Sequence, residues 1–276
     1  MSSSIGLFDS GVGGLSVVRE IMRQLPAHSL IYLADQGHAP YGQRPLAEIR
    51  DFAGGITRFL LAQGSQVIVV ACNTASAAAL HWLRREFPDV PFVGMEPAVK
   101  PAVERSRTHH VGVIATAATF QGELFASLLE RYASDVIVHT QVCPELVPLV
   151  EAGELDTPRT RAAVEGYLAP LTAAGIDELV LGCTHYPFLR PLIEAALGPD
   201  VDVIDPAPAV ARQTARVLAQ RGWLDGDGVS PAKSHSFYTT GDPARFGVAL
   251  HSLLGLDAAI CAAAWAPDGQ LHEIAK

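Results

Sequence analysis

The sequence predicts an α/β protein: two similar doubly wound domains with mainly parallel sheets and an active site in the cleft between them. Three observations carry this. Short apolar runs alternate with amphipathic stretches from end to end, the pattern of βαβ units. Two segments of the first half recur in the second with the same apolar-strand, small-polar-turn character. The length of 276 residues, with 49% hydrophobic and 18% charged, supports one large core or two small ones and argues against disorder.

Taken in order, Ile5–Phe8, Leu30–Leu33, Val67–Ala71 and Phe92–Gly94 read as buried strands. Helices are expected between them at Leu15–Gln24, Leu46–Ala62 and Ser76–Phe87. A second set follows, with strands at Val111–Ala115, Val136–Thr140, Leu179–Leu181 and Val201–Ile204. Its helices are expected near Gly122–Tyr132, Pro158–Ala174 and Phe188–Ala196, then Pro206–Arg221. Thr157-Pro158 is a helix start, a capping hydroxyl before a proline at the first position. The tail predicts a strand at Ser236–Thr240, a helix at Pro243–Leu254 and a strand at Ala258–Ala262.

The recurring pairs are Ile5–Gly14 with Val111–Phe120, and Val67–Ser76 with Glu178–Pro187. They suggest a first domain of residues 1–97 plus 207–276, carrying Cys72, and a second of residues 98–206, carrying Cys183.

Asp+Glu 29 against Lys+Arg 20 gives a net charge of −9, a poor prior for nucleic-acid binding. Val248–Ala266, the most apolar stretch, is interrupted by His251, Ser252, Gly255 and Asp257, so no spanning helix is expected. The N-terminus has neither a basic region nor an apolar run before Asp9, so no signal peptide and a cytoplasmic location are expected. Cys72, Cys143, Cys183 and Cys261 are widely spaced, without CxxC or zinc-type spacing, and no metal site is expected.

The strongest constellation is the pair Ala71-Cys72-Asn73-Thr74 and Gly182-Cys183-Thr184-His185. Each cysteine closes an apolar strand, and ligands of open α/β sheets bind beyond the carboxyl ends of strands. If the halves face each other, the thiols share one cleft. One thiolate could then take a proton from one face of a carbon acid while the other thiol returns one to the opposite face, inverting a stereocentre. The plain alternative is two buried packing cysteines. A free thiol titrates near 8.5 and needs tuning by neighbours; Asp9 and His185 are the candidates.

Asp9-Ser10-Gly11-Val12-Gly13-Gly14 follows the first strand and opens a helix. Ser16 stands where a dinucleotide fingerprint needs a third glycine, and Asp9 opposes a phosphate. A loop for a carboxylate or amino group fits better. Tyr41 and Gly42 follow the second strand, Thr116 and Thr119 the fifth, and Glu151 lies in a later loop; with the cysteines they are expected to surround a small polar pocket and to contact its ligand. Asn73, Thr74 and Thr184 offer neutral donors for an amino-acid carboxylate. Cys143 and Cys261 read as packing residues, with Cys143 near the pocket loop.

These residues carry a family likeness. The segments FDSGVGGLSV (Phe8–Val17), PYG (Pro40–Gly42), ACNTAS (Ala71–Ser76), EPAVKPA (Glu96–Ala102), ATAATF (Ala115–Phe120), LVPLVEAG (Leu146–Gly153) and LGCTHYP (Leu181–Pro187) resemble, in order, those of the glutamate racemases within the aspartate/glutamate racemase superfamily. The resemblance covers residues 5 to about 256. It implies cofactor-independent, two-thiol racemisation of glutamate, supplying D-glutamate for peptidoglycan. It implies Cys72 acting on D-glutamate and Cys183 on L-glutamate, with Asp9 and His185 assisting. Ser10, Tyr41, Gly42, Asn73, Thr74 and Thr184 then contact substrate, and Glu151 is a secondary contact near the amino group. It implies a monomer or homodimer with glutamate as its small-molecule partner and no nucleic acid or membrane. Gly122 and Phe125 depart from it, standing where the family often has a serine and an aromatic hydroxyl.

Four other readings are weighed. The first is an aspartate or other amino-acid racemase of the same superfamily; the DSGVGG segment and His185 favour glutamate. A pyridoxal-phosphate racemase needs a Schiff-base lysine; the lysines are Lys100, Lys233 and Lys276, and only Lys100 is near a motif. An amino-acid sensor would keep the fold without needing both thiols. An interaction with DNA gyrase, reported for some family members, finds no support in these residues.

Overall fold

The computed structural model describes residues 4–224 and 234–274. Lys233, Lys276 and the first three residues of the N-terminal segment lie outside them. Strands and helices alternate: β1 Ser4–Asp9, α1 Leu15–Gln24, β2 Leu30–Ala34, α2 Leu46–Ala62, β3 Ser65–Val70, α3 Asn73–Glu86, β4 Phe92–Val93 and α4 Val99–Arg105. Next come β5 His110–Ala115, α5 Ala117–Gln121, α6 Glu123–Tyr132, β6 Ile137–Val142, α7 Leu146–Glu151 and α8 Pro158–Ala173. The chain ends with β7 Glu178–Gly182, α9 Arg190–Leu197, β8 Asp202–Ile204, α10 Ala207–Gln220, β9 Ser236–Thr239, α11 Pro243–Leu254, β10 Ile260–Trp265 and β11 Leu271–Glu273.

The strands form two sheets. The larger has the order β11-β10-β9-β2-β1-β3-β4 and the smaller β6-β5-β7-β8. Among the described residues every pairing is parallel except β10 with β11. The second sheet repeats the β2-β1-β3-β4 order of the first. β1 and β5 are the strands at which the chain switches direction, flanked by β2 and β3 or by β6 and β7. Loops diverge beyond such a point and leave a crevice. Phe8 pairs with Val70 and Ala115 with Gly182, so the residues two past Val70 and one past Gly182 emerge at that crevice. These are Cys72 and Cys183.

Local chemistry explains the helix starts. Thr157 caps α8 by accepting from the Thr160 N–H at 3.2 Å, with Pro158 in the first turn, as expected. Asp242 caps α11, and Gly255 closes it with φ +67°. α3 begins at Asn73, three residues earlier than expected, because Cys72 is its cap: Sγ accepts from the Ala75 N–H at 3.4 Å.

One apolar cluster runs from Ile5, Leu15 and Val18 through Leu146 and Leu149 to Leu179 and Leu181, so the facing sides of both sheets share a core. Separate clusters cover the outer face of each sheet. Among the described residues no helix is long and apolar enough to cross a membrane.

Candidate active site

A small cavity of about 70 Å³ opens between the two sheets. Asp9, Ser10, Tyr41, Gly42, Cys72, Asn73, Thr74, Thr116, Cys183, Thr184 and His185 all line it. Pro40, Gln43, Ala117, Val142, Cys143, Pro144 and Val147 complete the wall. Two expected contacts stand one layer back. Thr119 is buried, its hydroxyl 3.0 Å from that of Thr116. Glu151, expected in a loop, ends α7 and lies behind His185.

Each thiol has its own electrostatic setting. Asp9 ends β1, and Cys72 follows the adjacent strand β3 of the larger sheet. Asp9 is fully buried; its carboxylate accepts from the N–H groups of Ser10 at 2.7 Å and Gly14 at 2.6 Å. Burial nevertheless holds Asp9 above the usual carboxylate range, against the opposing pull of His185 and its hydrogen bonds. Burial, and then the Asp9 carboxyl, push the Cys72 thiol well up, while the Ala75 N–H at the start of α3 works the other way. A cation brought beside Cys72 would work in the same sense as that N–H.

On the other side, Cys183 Sγ lies 3.6 Å from His185 Nδ1, and His185 Nε2 lies 2.7 Å from Glu151 Oε1. Burial alone would lower the imidazole, but Cys183 and Glu151 outweigh it and hold His185 well above its ordinary range. Burial likewise tends to raise Glu151, and the imidazole beside it keeps it low. The pair is an imidazolium–carboxylate pair, steadied by the Val12 N–H at 2.7 Å and the Gln36 amide at 3.0 Å from Glu151. Asp9 and His185 thus give the two thiols opposite surroundings, one acidic and one cationic.

Asn73 carries a further signal. Its side-chain nitrogen and oxygen are buried and, among the described residues, have no hydrogen-bond partner. An orphaned buried amide is costly unless a ligand completes it.

Asp35 was not singled out in the sequence. It is buried just past β2 and accepts from the Tyr41 hydroxyl at 2.6 Å, the Thr240 hydroxyl at 2.7 Å and the Trp265 indole at 2.9 Å. It fixes the Tyr41 loop to the tail strands. The available signal was a carboxylate closing an apolar strand, as Asp9 does. Gly122 and Phe125 stay off the cavity wall. A Cβ on Gly122 would come within 2.6 Å of Ala77 Cβ, so α3 leaves no room for a side chain there. Phe125 packs edge-on against Phe120. Lys100 is not on the cavity wall; its ammonium lies 3.8 Å from Glu104. Cys143, expected to be packing, is fully buried and also lines the cavity, its thiol facing the Gln141 carbonyl.

A doubled parallel α/β fold with two thiols at matching strand ends around one cavity defines an isomerase of the racemase class. Residues 5–214 match the Asp/Glu/Hydantoin racemase family, and the chain belongs to that family. It is 50% identical over 256 residues to a glutamate racemase of Ectopseudomonas mendocina, covering 93% of this chain and 96% of that one. A glutamate racemase structure from Bacillus anthracis superposes with TM-score 0.85 at 37% identity, over 94% of this chain and 96% of that one. The Escherichia coli glutamate racemase, solved with L-glutamate and the activator UDP-MurNAc-Ala, superposes with TM-score 0.83 at 29% identity over the whole of both chains.

Proposed function

We propose that this chain interconverts L- and D-glutamate by two-base proton transfer at the α-carbon, without a cofactor. The observation that carries this reading is the small cavity holding Cys72 and Cys183, one from each sheet, beside an unpartnered Asn73 amide. The glutamate racemase identity of its relatives supports the substrate. Peptidoglycan synthesis in the cytoplasm, by a monomer or homodimer, is the role this reading implies.

In this scheme Asn73, Thr74 and Thr184 hold the α-carboxylate. Ser10, Tyr41 and Gly42 meet the distal carboxylate, with Thr116 and Thr119 as supporting hydroxyls. The α-ammonium supplies the positive charge that Cys72 lacks. Cys183, as thiolate beside His185, takes the α-proton of L-glutamate; Cys72 gives its thiol proton to the opposite face and is left as thiolate. The reverse reaction starts from that state: the Cys72 thiolate, beside Asp9, takes the α-proton of D-glutamate, and the Cys183 thiol gives its proton to the opposite face and returns to thiolate. Glu151 holds the His185 ring.

The α-proton is far less acidic than a thiol. Positioned proton transfer contributes about 10²–10⁴-fold, and the remainder must come from orientation and fixed donors in a closed cavity. Residues 1–97 with 207–276, and residues 98–206, act in this reading as two domains that part to admit substrate.

The test is incubation of purified protein with L-glutamate, with chelator present and no cofactor added, and with L-aspartate in parallel. D-Glutamate without D-aspartate is expected. No product from folded, reduced protein would move the weight to the sensor reading.

A further inference from the structure

The cavity's side-chain hydroxyls and its imidazole already have protein partners, which leaves backbone N–H groups and any free side-chain donor for a ligand. Ser10 donates to Asp9, Tyr41 to Asp35 and Thr184 to Asp9. The hydroxyls of Thr74 and Thr116 pair with each other at 2.8 Å, and both ring nitrogens of His185 are engaged. Among the described residues the wall contains neither lysine nor arginine. Two side-chain amides remain on it. Asn73 is buried and unpartnered. Gln43 is exposed, at the end of the Tyr41–Gln43 turn, and has no hydrogen bond among the described residues.

The turn also sits where the two sheets meet. A Cβ on Gly42 would come within 2.9 Å of Thr116 Cβ, so the loop of the larger sheet presses on the start of α5. Gln43, next in sequence, stands at the rim of that seam, while Asn73 lies at its floor. A ligand with an anionic group at each end of a short chain needs a free donor at each end.

We propose that Gln43 is a specificity-determining residue whose amide N–H donates to the distal carboxylate of the bound substrate. This rests on the glutamate reading above. The interaction is a charge-assisted hydrogen bond at a partly wet rim, so its loss weakens binding moderately, and an added carboxylate there repels.

The test compares wild type, Q43A and Q43E on L-glutamate, with L-glutamine as a competitive ligand carrying a neutral distal amide. Q43A is expected to raise KM for glutamate about threefold and Q43E about tenfold or more, with kcat moving less than KM. Q43E is expected to leave the inhibition constant of glutamine within about twofold, because no distal charge is opposed. A merely structural residue would weaken both ligands alike and would not distinguish Q43A from Q43E. Equal KM for all three proteins, or equal weakening of glutamate and glutamine, overturns the proposal. Absence of turnover in wild type would instead overturn the glutamate reading itself.

Discussion

The Thr184 hydroxyl donates to Asp9 Oδ2 at 3.1 Å. The residue after Cys183 therefore touches the carboxylate beside Cys72, although 175 positions separate the two. Ser16 strengthens the tie by donating to the Thr184 carbonyl at 3.0 Å. The two strand ends form one polar unit, so displacement of either side disturbs both thiols.

Gly13 lies inside that unit. A Cβ there would sit 2.4 Å from His185 Nδ1 and 2.5 Å from Thr184 Oγ1. G13A is expected to lower turnover by roughly 10²-fold, as an ångström-scale displacement can. Its melting temperature should fall by only a few degrees, because the neighbours are side chains that can turn. Steady-state assay beside thermal denaturation measures both, and wild-type turnover would contradict the geometry.

Against the lowering effect of burial, Cys183 and then Glu151 hold His185 well above its ordinary range. Removing the carboxylate in E151Q takes away part of that stabilisation, so the His185 titration moves down. The limb of the pH–rate profile belonging to the imidazolium should shift to lower pH, with turnover reduced by about 10-fold or more. The wild-type profile should be bell-shaped, since one thiol must be ionised and the other protonated. A profile flat from about pH 6 to 10 would not fit two thiol bases.

Cys143 lines the cavity, yet burial, and then nearby Cys183, push its thiol up to about 12. It stays protonated at neutral pH and makes a poor base. C143S is expected to keep turnover within about threefold, because the change removes little volume and no reacting group. Complete loss in folded C143S would require a new assignment of the thiols.

Asp177 and Glu178 are neighbours with opposite responses to pH. Burial would raise Asp177, but donors from Ser106, Arg107 and Thr108 outweigh it and lower it from 3.8 to about 2. Burial, and then Asp202, raise Glu178 from 4.5 to about 7, and its Oε2 is unpartnered. The Asp177 contribution is present above 3.8 and fades as pH falls towards about 2. For Glu178 the folded state binds the proton more tightly, so stability drops as pH rises from 4.5 through about 7. E178Q should therefore be more stable than wild type at pH 8 by roughly 1 kcal/mol, with little difference near pH 5. Urea midpoints at the two pH values read this directly; equal midpoints at pH 8 would show that the carboxyl is not penalised.

Much of this was legible in the sequence. Apolar runs bounded by small polar residues marked β1, β3, β5 and β7, whose burial leaves no polar alternation to confuse them. The thiols were legible because each directly follows such a run. What escaped depends on distance or brevity. α7 looked like a loop because Pro148 interrupts a six-residue helix. With the helix hidden, Glu151 could not be aimed at His185, 34 residues away. The last strand was expected at Ala258–Ala262 but runs Ile260–Trp265, drawn along by its hairpin with β11. Three residues of that partner, one apolar, are too short a pattern to read. Asp35 closes an apolar strand as Asp9 does, but its role was hidden because two of its donors, Thr240 and Trp265, come from the far tail of the chain.

The central claim is that Cys72 and Cys183 are the two acid–base groups, each serving one enantiomer. The most direct measurement is α-proton exchange in D₂O by C72S and C183S, each given L- and D-glutamate separately and followed by proton NMR. The account predicts that neither variant racemises. C72S should introduce deuterium into L-glutamate only, and C183S into D-glutamate only, each with retained configuration. Racemisation persisting in either variant, or both enantiomers exchanging in one, would contradict it.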